Sequence, residues 1–363
     1  MGMIHIIVGT KAQLIKMAPI MVELQNRNVG YNFILTGQHQ DVMDELREDF
    51  GIKEPDYIMS KGKDVTSIFQ MIFWINGNLI KTIFNKKKIF KRDKMGIVLV
   101  HGDTFSTLLG ALMGKLSGNR VGHVESGLRS FNYFNPFPEE ITRILTFQLS
   151  DYYFCPGEWA LNNLKSYKGV KINTGINTLY DSLQLAKKRI KCVNVDIPNY
   201  KYAIVTLHRF ENIFKKDQLE KIVGLLEEIS GKNKLLFILH KPTEQQLKRF
   251  NLYTKLEKNK NIELRPRYDY LKFIKLMMNS EFVISDGGSN QEEGFYLGVP
   301  CLLFRYKTER QEGLNENVLL SKFSRDKIDY FVKNYKEFKK KKIKREFSPS
   351  KLIVREIANE ENR

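Results

Sequence analysis

The sequence IVLVHGDT, residues 97–104, decides the fold, because a short apolar strand ends there abruptly in a polar turn. A helix rich in small residues follows the turn. Three other segments of the N-terminal half show the same arrangement: Met3–Val8, Tyr31–Leu35 and Val121–Val124. Short apolar strands that alternate with helices indicate a parallel sheet, and functional side chains gather at the carboxyl ends of its strands.

A second series of strands begins after Asp181. Its members are Tyr202–Thr206, Lys234–Leu239, Phe282–Ser285 and Pro300–Phe304. A chain of 363 residues also exceeds the size at which a single core usually stops growing. We therefore predict an α/β protein with two Rossmann-like parallel-sheet domains, residues 1–178 and 179–347, which face one another across a cleft. A C-terminal helix, residues 348–363, is expected to pack back towards the N-terminal domain.

The composition argues against several classes of protein. No run of about 18 apolar residues occurs, so no membrane-spanning helix is predicted. No secretory signal is expected, since the first strand lacks a preceding basic region. The cysteines, Cys155, Cys192 and Cys301, are far apart and lack the spacing of a metal site. They suit a reducing compartment, so we expect a cytoplasmic protein.

Basic residues exceed acidic ones, 59 against 41, which gives a net charge of +18. The excess is concentrated in Lys81–Lys94 and Lys339–Arg345. A basic excess suits phosphate-rich ligands, nucleic acid or an anionic membrane. We predict no nucleic-acid partner.

The segment 68–94 combines aromatic and aliphatic side chains with a lysine cluster. This composition is typical of an interfacial helix on anionic lipid, which would hold the protein peripherally at the inner face of the membrane, near a lipid-linked acceptor. A buried or dimer-interface helix with a solvated basic tail is the competing interpretation. The sequence leaves both open.

Three carboxylates follow the strands of the N-terminal half. Asp103 and Glu125 come at strand ends, and Glu139 lies in the turn Pro136–Glu140. Asp103 taken alone could instead be the N-cap of the following helix. Carboxylates gathered at one site shift one another's pKa, so that one can act as an acid while another acts as a base.

The C-terminal half supplies groups suited to phosphates. The turn DGGSNQEE, residues 286–293, joins a strand to a helix, and its glycines let backbone N–H groups approach a phosphate closely. His208 and Arg209 end another strand and could bring positive charge to a diphosphate. Neither a G-x-G-x-x-G motif after the first strand nor a P-loop occurs, and no histidine spacing suggests a metal. We predict neither a cofactor nor a metal.

In order, these clusters resemble the non-hydrolysing UDP-N-acetylglucosamine 2-epimerase family. The matching segments run from Gly9 to about Gly313, with near-identical spacing. They are Gly9-Thr10 with Ile15–Pro19, Thr36–His39, His101–Thr104, Gly122–Arg129, Pro136–Glu140 with Arg143, His208-Arg209 with Glu211-Asn212, Asp286 with Gln291–Glu293, and Thr308–Arg310.

The resemblance implies a glycosyltransferase-B architecture that binds a nucleotide sugar in the cleft, a homodimer, and inversion of the sugar at C2 by elimination and re-addition of UDP. Acid and base candidates would be Asp103, Glu125 and Glu139. Lys16, His208 and Arg143 would neutralise or position the phosphates and the sugar. The remaining binding candidates are Lys11, Arg209, Asp286, Gly287, Gly288, Ser289, Glu292 or Glu293, and Arg310.

Departures from the family pattern lie on the nucleotide side. Lys11 replaces an arginine and loses its bidentate geometry. The turn at 286–290 lacks one hydroxyl near the phosphates, and Phe210 stands where a second arginine is frequent.

Two activities therefore remain. The three carboxylates favour the epimerase, whose product would serve surface polysaccharide synthesis. The 68–94 segment and the altered phosphate motifs favour a glycosyltransferase acting on a lipid-linked or glycan acceptor. A hydrolysing epimerase is less consistent with the Pro136–Glu140 turn.

Overall fold

The computed structural model describes residues 2–37, 43–60, 68–133 and 137–360. The predicted motif residues Gln38, His39 and Pro136 lie outside these ranges. The chain forms two compact units: the first takes the chain up to Ala186 and again from Arg345, and the second takes Lys187–Lys344.

The first unit is built on a parallel sheet. Within the described residues it has seven strands: β1 Ile4–Val8, β2 Tyr31–Leu35, β3 Tyr57–Ile58, β4 Ile97–His101, β5 Arg120–Val124, β6 Tyr152–Cys155 and β7 Val170–Asn173. Their order across the sheet is β3-β2-β1-β4-β5-β6-β7. The helices along the chain are α1 Lys11–Asn26, α2 Met43–Phe50, α3 Ile68–Ile89, α4 Phe105–Ser117, α5 Glu139–Leu149, α6 Glu158–Asn162 and α7 Leu179–Arg189. Strands β1 and β4 are buried along their whole length, as expected of a sheet covered on both faces.

The second unit repeats this architecture. A short 3-10 turn, Ile190–Cys192, precedes its sheet. The six strands in the described part are β8 Tyr202–Thr206, β9 Lys234–Leu239, β10 Ile262–Pro266, β11 Val283–Ser285, β12 Cys301–Leu303 and β13 Val318–Leu320, in the order β10-β9-β8-β11-β12-β13. The helices are α8 Phe210–Ile213, α9 Lys216–Ser230, α10 Lys241–Arg249, α11 Tyr253–Glu257, α12 Tyr270–Asn279, α13 Gly288–Leu297 and α14 Arg325–Asn334. All pairings in both sheets are parallel.

The last helix, α15 Pro349–Glu360, belongs to the first unit and packs on α1. Asp181 on α7 holds its start, because one carboxylate oxygen accepts hydrogen bonds from the Ser348 hydroxyl (2.7 Å) and the Ser350 N–H (2.8 Å). The chain divides at 186 and 344, whereas the predicted boundaries were 178 and 347. The first difference arises because α7 packs on the first unit, where the Ser182 hydroxyl donates to the Ile15 carbonyl (2.6 Å).

Candidate active site

Both sheets reverse their strand order at one point, between β1 and β4 in the first unit and between β8 and β11 in the second. Ligands of open α/β sheets bind at the carboxyl ends of the strands beside such a reversal. The predicted site residues follow the strands at and next to these two points.

Glu125 is the most enclosed of the three predicted carboxylates. It follows β5 with a backbone φ of 62°, and its side chain is 3% exposed. Both of its oxygens accept hydrogen bonds from the Lys16 ammonium, at 3.0 and 2.7 Å. The His101 Nε2 lies 2.9 Å from one of them. Glu125 is therefore held in a buried polar cluster with Lys16 and His101.

Lys11, which replaces the arginine of the family pattern, lies with Gln13 in the first turn of α1. Lys11 is half-buried. The Gln13 amide oxygen accepts from the N–H groups of Gly9 (2.9 Å) and Thr10 (3.1 Å), while its NH2 group donates to the His101 carbonyl (2.8 Å). An ionised carboxylate could not donate in this way, so the amide of Gln13 joins the turn after β1 to the end of β4.

Asp103 is more accessible, with a side chain that is 28% exposed. The N-cap of α4 is its neighbour Thr104, whose hydroxyl accepts from the Thr107 N–H. Asp103 is therefore not needed as a cap, and its carboxylate pairs instead with the Arg143 guanidinium. Glu139, the first residue of α5, is half-buried at a helix N-terminus, where a carboxylate is favoured.

Arg143 is 2% exposed and bridges two carboxylates, Asp103 and Glu140. Glu140 also accepts from the Arg129 Nε at 2.5 Å and from the Ser130 N–H at 3.0 Å. Burial alone would raise the pKa of Glu140, but the hydrogen bonds from Arg129, Ser130 and Arg143 bring it below its ordinary value. Arg143 thus orients Asp103, and Glu140 orients Arg143.

The sequence analysis assigned no role to Glu140, although this residue lies in the Pro136–Glu140 turn. The signal was present in the spacing, because Glu140 and Arg143 are three residues apart and so share one face of α5, which is buried here.

His123 lies inside β5 and is fully buried. Its Nε2 is 2.7 Å from the Gly102 carbonyl and its Nδ1 is 3.1 Å from the Ser126 hydroxyl. Burial lowers the pKa of His123 to about 4, so the ring is neutral at physiological pH. His123 is therefore a packing residue within the sheet.

His123 makes stability depend on pH. Because its pKa is lowered by folding, its contribution is present above the ordinary value of 6.5 and is lost as the pH falls towards 4. At about 1.4 kcal/mol per pKa unit, this contribution is roughly 3 kcal/mol. We expect the melting temperature to fall less steeply from pH 6.5 to pH 4 in His123→Gln than in the wild type. Calorimetry measures this, and equal slopes would contradict it.

In the second unit, Asp286 is fully buried. It is hydrogen-bonded to other groups of the same unit. Its carboxylate accepts from the backbone N–H groups of His208 (3.0 Å) and Arg209 (3.0 Å) and from the Asn212 amide (2.9 Å). The sequence suggested that Asp286 binds ligand. The structure places it beneath the His208-Arg209 turn, which it holds in position.

His208 itself is partly exposed, at 39% of its side chain. Its ring stacks on that of His240 at a centroid distance of 4.7 Å. His240 directly follows strand β9. Arg209 bonds to Glu211 through its Nε at 2.7 Å.

The glycine turn leads into α13, with Gly287 as the N-cap. The first turn of a helix leaves backbone N–H groups without intrahelical acceptors, and here Gly288 and Ser289 present theirs at a half-buried position. Arg310 pairs with the buried Glu292 at 2.6 Å. A Cβ at Gly288 would lie 2.6 Å from the Arg310 Nε, so a larger residue there would require the Arg310 side chain to shift. Glu293 is buried and accepts from Asn290 at 2.9 Å.

Among the described residues, no three His, Cys, Asp or Glu side chains are grouped so that they could hold a metal ion. The same part of the chain contains no helix that is both long and apolar enough to cross a membrane.

Comparison with known proteins assigns the family. A family model described as UDP-N-acetylglucosamine 2-epimerase matches residues 22–350. The chain belongs to the UDP-N-acetylglucosamine 2-epimerase family. It is 35% identical to the UDP-N-acetylglucosamine 2-epimerase of Methanocaldococcus jannaschii over 323 residues, which are 85% of this chain and 85% of the relative.

Solved structures of family members cover nearly the whole chain. The Neisseria meningitidis UDP-GlcNAc 2-epimerase bound to UDP-GlcNAc gives a TM-score of 0.85 at 29% identity, covering 98% of this chain and 99% of that one. The M. jannaschii enzyme in complex with UDP-GlcNAc and UDP gives 0.80 at 31% identity, with the same coverage. These likenesses, with the two parallel sheets, confirm the predicted fold class and the family resemblance. That the two sets of site residues face one cleft stays a prediction.

Proposed function

We propose that this family member inverts C2 of UDP-N-acetylglucosamine, or of a related UDP-N-acetylhexosamine, by elimination and re-addition of UDP. The observation that carries the proposal is the carboxylate cluster at the carboxyl edge of the first sheet. Asp103 is oriented by a buried arginine, and the neighbouring Glu125 is held by Lys16. In the relatives' structures, the N. meningitidis enzyme is bound to UDP-GlcNAc, and the M. jannaschii enzyme to UDP-GlcNAc and UDP.

The reaction needs proton transfer on both faces of the sugar ring. A carboxylate removes the C2 proton while the C1–O bond breaks and UDP leaves with the bonding electrons, which gives a 2-acetamidoglucal. Protonation of C2 on the opposite face and return of UDP to C1 complete the inversion. Asp103 and Glu139 are the two more accessible carboxylates, so we assign proton transfer to them. The route requires no redox cofactor and no metal.

Glu125 has a different role in this proposal. Because its hydrogen bonds with Lys16 are buried, we assign Glu125 to holding the Lys16 ammonium at the edge of the sheet. Positive charge at that edge stabilises a departing phosphate. In the second unit, His208, Arg209, Arg310 and the first turn of α13 are the groups we assign to the diphosphate and ribose.

Incubation with UDP-N-acetylglucosamine in heavy water tests the function. We expect NMR to show deuterium at C2 and a mixture of gluco and manno nucleotide sugars. Two results would contradict the proposal: no C2 exchange with any UDP-N-acetylhexosamine, or consumption of a nucleotide sugar only when an acceptor lipid is added. The second result would establish the glycosyltransferase alternative.

We place the reaction in the cytoplasm and its product in surface polysaccharide synthesis. The cytoplasmic location is supported by the free thiols of Cys155, Cys192 and Cys301, since an oxidising compartment favours disulfides. Release of a UDP-N-acetylhexosamine is consistent with use by a glycosyltransferase.

Helix α3 presents an apolar surface, which we call the α3 stripe: Phe73, Ile80, Ile83 and Phe84, with exposed fractions of 66, 56, 53 and 81%. The opposite face of the helix packs on the core through Trp74, Ile75 and Leu79. Exposed contiguous apolar surfaces of this kind mark sites of association.

We propose that the α3 stripe is the contact between two copies of the chain. A helix that lies on anionic lipid carries its charges on the face opposite the apolar one. In α3 that face is buried in the core, and the exposed lysines Lys86, Lys87 and Lys88 are confined to the last turn. This arrangement favours a second copy over a membrane as the partner.

Substitution within the stripe should separate the copies. By light scattering, the wild-type protein should have twice the chain mass of 42.5 kDa. The double variant Ile80→Glu with Phe84→Glu should be a monomer, because dimerisation would bury two charges in an apolar interface. The matched control replaces Lys86, Lys87 and Lys88 by Glu and should stay dimeric. A monomeric wild type that sediments with anionic vesicles, and loses this binding in the lysine variant, would establish the membrane interpretation instead.

A further inference from the structure

Phe131, in the turn after β5, has a backbone conformation that suits its side chain poorly. Its φ is 56°, in the left-handed region that residues with a Cβ rarely adopt. Its ring is also 71% exposed. The conformation is therefore not compensated by burial of the ring in a core.

Phe323 in the second unit shows the ordinary situation. Its φ is 57°, nearly the same, but it is only 5% exposed. Its ring packs against those of Phe304 and Tyr306, at centroid distances of 5.6 and 4.9 Å. For Phe131, the ring contact described by the structure is with the Arg129 guanidinium, 4.8 Å from the centroid.

Hydrogen bonds to Glu140 fix the turn that carries Phe131. The Glu140 carboxylate accepts from the Phe131 N–H (3.3 Å) as well as from Ser130 and Arg129. The same carboxylate bonds to Arg143, which pairs with Asp103. One buried group thus positions both the exposed ring and the carboxylate to which we assign proton transfer.

Strained residues that the surrounding structure holds in place cluster at ligand sites. A rigid, exposed aromatic face next to polar groups suits a ligand with one apolar and one polar side, such as the C–H face of a sugar ring. Two further aromatic side chains nearby in the sequence, Tyr133 and Phe137, are also exposed, at 59% and 47%.

We propose that Phe131 is a specificity-determining residue that stacks on the hexosamine ring of the nucleotide sugar. This inference rests on the proposed function, because it takes the substrate class from it.

The test is Phe131→Gly, because glycine adopts a positive φ without strain. The variant should keep or raise the wild-type melting temperature. Its Kd for UDP-N-acetylglucosamine should rise about threefold to tenfold, as expected for loss of an aromatic contact. Its Kd for UDP alone should not change, since UDP lacks the sugar. Phe131→Tyr should bind both ligands as the wild type does.

Phe323→Gly is the matched control and should lower the melting temperature while leaving the ratio of the two Kd values unchanged. The inference would be overturned if Phe131→Gly bound the nucleotide sugar normally, or if its affinity for UDP fell equally. A wild type that binds the nucleotide sugar no better than UDP would also overturn it. These measurements do not need turnover. A wild type that binds the nucleotide sugar without C2 exchange would refute epimerisation, and the comparison would still decide the role of Phe131.

Discussion

Replacing Asp103 by asparagine is expected to lower kcat for epimerisation about a hundredfold to ten-thousandfold, the usual contribution of a positioned acid or base. Asparagine has nearly the same shape and can still accept a hydrogen bond from Arg143, but it cannot take up the C2 proton. The melting temperature and the Kd for UDP should change little. Deuterium incorporation at C2, followed by NMR, measures the rate.

The matched control is Asp329→Asn, an exposed carboxylate on α14 of the second unit. It should retain the wild-type rate. If Asp103→Asn exchanged the C2 proton at a normal rate, proton transfer would have to be reassigned to Glu139 and Glu125.

The buried pair of Lys16 and Glu125 should dominate the effect of substitution on stability. In the wild-type pair, the side chains of Lys16 and Glu125 are 4% and 3% exposed. Lys16→Met removes the ammonium and leaves the Glu125 carboxylate buried. Breaking a buried pair from one side costs about 3–5 kcal/mol, whereas replacing both partners is often nearly neutral. We therefore expect Lys16→Met to lose this much unfolding free energy in urea, and Lys16→Met with Glu125→Gln to recover most of it. Both variants should be inactive.

Lys115 provides the comparison at the surface. It pairs with Asp151 at 2.7 Å, but the two side chains are 39% and 36% exposed. Lys115→Met should cost less than about 1 kcal/mol, because water screens an exposed pair. Equal losses for Lys16→Met and Lys115→Met would show that the Lys16–Glu125 pair is open to solvent.

Sequence patterns predicted eight of the thirteen strands in the described residues, because a buried apolar run is a local signal. They did not indicate β3, β6, β7, β10 or β13. The run at 97–100 is apolar, buried and followed by a polar turn, and the structure has strand β4 at Ile97–His101. The same reasoning placed Asp103 and Glu125 correctly at strand ends. It did not identify their partners, since Lys16 is 109 residues from Glu125 and Arg143 is 40 residues from Asp103.

Asp286 and helix α3 show where tertiary structure alone decides. A strand-end aspartate can meet a ligand or a backbone turn, and only the approach of the His208-Arg209 turn made Asp286 an internal acceptor. In α3, apolar residues occur around the helix, so the pattern could not tell which would be buried. Packing on the core selected Trp74 and left Phe84 in solvent.

The sequence by itself thus determined the two series of parallel strands and the turns at which polar groups emerge, because alternation of apolar runs and turn residues acts over a few neighbouring positions. The tertiary structure decided which of those groups are held internally and which stay accessible. It buried Glu125 with Lys16 and left Asp103 reachable beside Arg143. Burial and pairing depend on contacts between segments far apart in the chain, and no local pattern contains that information.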